Sequence, residues 1–64
     1  MIILRTNSEP VLYVKELHGV VFVTWVFEKE YAGIFPTVRY TADQWCVLVS
    51  KVSGRQVIAD EIGL

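Results

Sequence analysis

The run Gly-Val-Val-Phe-Val-Thr-Trp-Val-Phe, residues 19–27, constrains this chain more than any other stretch. It is β-branched or aromatic at nearly every position, the composition of a strand. It falls well short of the ~20 apolar residues that a membrane-crossing helix needs. A strand with one solvated face alternates apolar with polar residues. This run does not: Thr24 is its one polar side chain. As a strand it presents apolar groups on both faces, so both faces need cover.

Length makes that demand hard to meet. The chain has 64 residues, 53% of them hydrophobic. That fraction exceeds the ~45–50% of ordinary domains, and it excludes disorder, which goes with low hydrophobicity and high net charge. A chain of this size forms a single domain, 1–64, and buries only about 60% of its unfolded surface. Folds this small are commonly reinforced by disulfides, a metal or association. Cys46 is the only cysteine, so no internal disulfide forms. His18 is the only histidine, so one chain cannot supply a four-ligand Cys/His zinc site. No cofactor is expected. Association remains, with a protein partner, with a second copy as a homodimer, or with both.

Upstream of the apolar run, Val-Leu-Tyr-Val-Lys at 11–15 reads as a strand, and Glu-Leu-His-Gly follows with His18-Gly19 as turn centre. The two strands make a hairpin. With a two-residue loop, Leu12, Val14, Val21, Val23, Trp25 and Phe27 share one face, the expected core. Val11, Tyr13, Lys15, Val20, Phe22, Thr24, Val26 and Glu28 share the other. Ile-Ile-Leu-Arg at 2–5 adds a short strand before the turn residues of 6–10. Lys-Glu-Tyr-Ala-Gly at 29–33 reads as a turn, with Gly33 at positive φ. Ile-Phe-Pro-Thr-Val-Arg-Tyr at 34–40 reads as a third major strand, placed at an edge or bulge because Pro36 donates no ladder hydrogen bond.

Thr41-Ala-Asp-Gln44 is a capping box, with Thr41 as N-cap and Gln44 at the third helical position. Asp43 suits the positive end of a helix dipole. Trp45, Leu48, Val49 and Val52 recur at helical spacing, and Gly54 is placed to end the helix. These signals predict a helix over 42–53. Residues 56–60 read as a last strand or a short helix. The fold class is therefore α+β: a small antiparallel sheet of three or four strands with one helix packed on one face. One helix leaves the second face for an interface to cover, or for the N-terminal strand or C-terminal tail to fold over.

Catalytic sets are missing from the sequence. His18 sits in the expected turn without a partner, and Cys46 flanks the apolar stripe of the helix. Glu28 with Glu30, and Asp60 with Glu61, read as solvated charges. The chain reads as a non-enzyme. Its six basic and seven acidic residues are scattered, for a net charge of −1, and form no basic stripe. The opening Met-Ile-Ile-Leu-Arg has no secretion-signal pattern, and with an unpaired cysteine this favours a cytoplasmic setting. No membrane partner is expected.

Residues 34–53, a sheet segment followed by a helix opening with Thr41, Gln44 and Trp45, resemble single-stranded DNA-binding proteins that act as dimers. The resemblance implies nucleic-acid binding by a dimer and supplies no binding residues; by their charge, Lys15, Arg39 and Arg55, with neighbouring aromatics, are the candidate contacts for that alternative. The leading expectation is a small non-catalytic protein-binding module, a regulator or inhibitor that occupies the surface of a larger macromolecule. Aromatic residues and Arg dominate the energetics of such contacts. The candidate partner-binding residues are Tyr13, Lys15, Phe22, Thr24 and Glu28, with Tyr31 and Arg39 at the rim.

Overall fold

The helix forms where its caps place it. In the computed structural model, which describes residues 1–63, helix α1 spans Ala42–Ser53. The Thr41 hydroxyl accepts the Gln44 amide at 3.2 Å, and the Gln44 side chain accepts the Thr41 amide at 2.8 Å. This reciprocal pair satisfies two donors at the helix start and its flank. Gly54 ends the helix at φ 72°, with its amide on the Ser50 carbonyl.

The buried stripe of α1 is rotated from the one its apolar spacing suggests. Ala42, Trp45, Cys46 and Val49 pack on the core. Leu48 instead lines an outer groove with Tyr40, Val47 and Lys51. Trp45 accounts for the rotation. Its indole N–H donates to the Pro36 carbonyl at 2.8 Å, and its ring meets those of Phe35 and Tyr40 edge-on at 5.0 Å.

Strands β1 (Ile2–Thr6), β2 (Tyr13–His18), β3 (Phe22–Val26) and β4 (Val57–Glu61) form one antiparallel sheet in the order β3-β2-β1-β4. Residues 57–61 thus close the fold as a strand. β4 pairs along the whole of β1. Ile2, Ile3, Leu4 and Thr6 of this inner strand are all buried. Ile2 and Leu4 meet Val14, Phe35, Val49 and Val57 in the core beneath α1. Fully burying such a side chain contributes roughly 1.5–3 kcal/mol. The buried Thr6 hydroxyl accepts the Leu12 amide at 3.0 Å and ties down the 7–12 loop, which contains a cis Glu9-Pro10 peptide.

The hairpin departs from simple alternation. Tyr13 faces Val26 and Val14 faces Trp25, as a two-residue loop requires. A bulge at Lys15 then shifts the ladder, so that Glu16 faces Thr24, Leu17 faces Val23 and His18 faces Phe22. The turn is 19–21, and His18 ends β2 rather than sitting in the turn. One extra residue sends Leu17 into the core, where it joins Val14, Val23 and Trp25. Val21 and Phe27, which alternation assigns to the core, lie beyond the ends of β3 and are 76% and 71% exposed. Leu12, likewise assigned there, precedes β2 and is half-buried.

Two further expectations are corrected. Residues 34–40 do not form a strand: only Phe35 pairs, bridging Ile2 through hydrogen bonds of 3.0 and 2.8 Å. Pro36 has no N–H to continue the ladder, and the chain turns toward the helix cap. Gly33 does not take positive φ. Its amide donates to the Val14 carbonyl at 2.9 Å, and a Cβ on it would strike the Lys15 carbonyl. Glycine is needed there because two backbones approach closely.

In urea titrations followed by tryptophan fluorescence, Gly33→Ala is expected to lower stability by about 1–3 kcal/mol. Thr41→Ala should cost about 1 kcal/mol. An unchanged midpoint for Gly33→Ala contradicts the close approach.

Candidate functional site

The sheet face opposite α1 is set by the bulged register. Across β2 and β3 it carries Tyr13 with Val26, Glu16 with Thr24, and His18 with Phe22. Lys15, the extra residue of the bulge, lies exposed beside them. β1 and β4 add Ile3, Arg5, Ile58 and Asp60.

At the β3 end the side chains lock together. The His18 ring stacks on Phe22 with centroids 4.2 Å apart and planes 15° from parallel. Its Nε2 lies 2.7 Å from the Thr24 hydroxyl and 3.4 Å from a Glu16 carboxylate oxygen. A nucleophile–base–acid relay needs the hydroxyl and the acid on different imidazole nitrogens. Here both approach the same one, so this group is no relay. It forms an aromatic shelf in which the His18 ring is held between Phe22 and the Thr24 hydroxyl.

At the other end, Arg5 Nε donates to Asp60 at 2.6 Å. The hydrogen bond to Asp60 raises the Arg5 pKa from its ordinary value, partly opposed by desolvation. The pair presents no free charge to a partner. Beyond Val26 the chain makes a 3₁₀ turn, Lys29–Tyr31, before Gly33 returns to β2. This crossing leaves a shallow hollow lined by Ile3, Ala32, Ile34 and Ile62, with Glu28 and Lys29 at its rim.

Of the residues singled out in the sequence, Tyr13, Phe22 and Thr24 share this face, and Lys15 sits in the bulge next to it. Glu28 precedes the 3₁₀ turn and Tyr31 ends it, both exposed. Arg39 belongs to the turn that leads into α1, beside Tyr40, whose ring meets Trp45. The alternation pattern misses Glu16 and His18. Their signal was the triplet Glu16-Leu17-His18, polar-apolar-polar, which already points Leu17 inward.

Cys46 is a packing residue. Burial pushes its thiol pKa up, and the Asp43 carboxylate adds to the effect. No group of three or more metal-ligating side chains occurs among the described residues, and none of their helices is long and apolar enough to cross a membrane. Compared with protein-family models, curated proteins and solved structures, the chain matches none.

At neutral pH Cys46 is expected to react with a disulfide reagent well below the rate of a free thiol, because only the thiolate attacks. The rates should converge in denaturing urea. Equal rates in the native protein would contradict the partly buried placement.

Proposed function

We propose that this chain is a small non-catalytic protein-binding module, a regulator or inhibitor that occupies the surface of a larger protein with the sheet face opposite α1. Phe22 carries this reading: it is 54% exposed, yet stacked on His18 on a face that α1 does not reach. An exposed aromatic ring is the kind of anchor that, once desolvated by a partner, dominates binding energy at interfaces. Tyr13 and Val26 extend the apolar surface, while Lys15, Glu16 and Thr24 supply polar groups around it.

Nucleic-acid binding has weaker support. Of its candidate cations, Lys15 lies in the β2 bulge and Arg39 in the turn before α1. Arg55 lies 5.8 Å from the ring centre of Trp25, which faces the core on the helix side. The sheet segment that the DNA-binding resemblance needs before the helix is reduced to the Phe35 bridge.

Affinity capture with the wild type, Phe22→Lys and Val38→Lys tests the proposal. Val38 is 96% exposed and lies off the face. Phe22→Lys should stay folded by circular dichroism and lose partner binding by at least about tenfold, and Val38→Lys should retain it. Equal binding by both variants sinks the proposal. A steep fall of affinity with salt would transfer the function to phosphate recognition.

A further inference from the structure

The two edges of the sheet are not alike. β4 carries Asp60 and Glu61, with Asp60 held by Arg5. β3 is the other edge, and its sequence Phe-Val-Thr-Trp-Val has neither charge nor proline. The hairpin bulge lies on β2, so β3 itself is unbroken. Among the described residues, no backbone hydrogen bond outside the ladders involves residues 22–26. Proteins blunt free edges with charge, proline, bulges or a covering segment. β3 has none of the first three, and no strand or loop backbone pairs with its free side.

We propose that β3 pairs antiparallel with β3 of a second copy about a two-fold axis at Thr24, joining two sheets into one. A two-fold antiparallel pairing centred there overlaps the whole strand. Thr24 then opposes Thr24 of the second copy, Val23 opposes Trp25, and Phe22 opposes Val26. Thr–Thr pairs and aromatic–β-branched pairs are among the stabilising cross-strand combinations, and like charges, which oppose pairing, are absent. The same register sets Phe27 opposite Val21. These two residues have the alternation of core positions but no core to enter, at 71% and 76% exposure. A second copy fits better than a foreign strand because this strand is complementary to itself in sequence and charge. Closed two-fold pairing also consumes the edge instead of propagating it.

The inference concerns the edge and holds whether or not the face binds another protein. If both hold, the axis sets two Phe22–His18 shelves on one continuous surface, one at each end of the paired strands.

Sedimentation equilibrium of the full chain over a range of concentrations tests the pairing. The wild type should be a dimer. Thr24→Lys places like charges opposite each other at the axis and should weaken association by at least about tenfold. Glu16→Lys, a larger charge change on the inner strand β2, should leave the dimer intact. A second test does not depend on how Thr24→Lys folds. In a Cys46→Ala background under mild oxidation, Thr24→Cys should form a disulfide-linked dimer, whereas Phe22→Cys should not, since the two copies of position 22 lie far apart along the ladder. A monomer at every concentration, a dimer indifferent to Thr24→Lys, or equal cross-linking at positions 22 and 24 would overturn the proposal.

Discussion

At the bulge of β2, the Gly33 amide donates to the Val14 carbonyl at 2.9 Å, and the bare Cα of Gly33 lies against the Lys15 carbonyl. This contact admits the returning chain beside β2. From there Phe35 reaches β1 and bridges Ile2, filling the stretch where β1 has no partner in β2, which meets it at Arg5 with Tyr13. Phe35 is then buried, and its ring packs on that of Trp45 at 60° between planes. Trp45 in turn fixes the rotation of α1 over the sheet. A side chain at position 33 would oppose the first step, and the later ones depend on it.

The same bulge divides the sheet into a face that is covered and a face that is not. Leu17 moves under the helix, while Glu16 and His18 move to the other side beside Thr24 and Phe22. Sixty-four residues supply one helix, and the 3₁₀ crossing shelters only the region of Ile3. The remainder of the outer face therefore combines a locked aromatic stack with polar neighbours, a surface organised before any partner arrives. The β3 edge adjoins it, so the proposed protein contact and the proposed self-pairing use neighbouring parts of one strand.

Much of this fold is legible in the sequence where signals are local. The capping box at Thr41 and Gln44 and the stop at Gly54 define α1 because they satisfy backbone groups within a few residues. The apolar segments of the hairpin are equally plain. Legibility fails where distant backbone decides. Residues 34–40 have strand composition, but Pro36 limits them to one bridge, and the neighbour they pair with is thirty-odd positions upstream, at Ile2. Gly33 reads as a turn residue because nothing nearby reveals the Lys15 carbonyl. The bulge itself left one trace. Val14 and Leu17 are both apolar at an odd spacing, which one face of an unbroken strand cannot accommodate. Of the candidate site, Tyr13, Phe22 and Thr24 were legible from alternation, and His18 and Glu16 only from that trace.

The claim on which the rest depends is the register of the hairpin, and cross-strand nuclear Overhauser effects report it directly. The bulged ladder predicts backbone contacts of Leu17 with Val23 and of Val14 with Trp25, with Lys15 unpaired. Contacts of Lys15 with Thr24 and of Leu17 with Phe22 would show an unbroken ladder. They would return Glu16 and His18 to the core side and contradict the face described above.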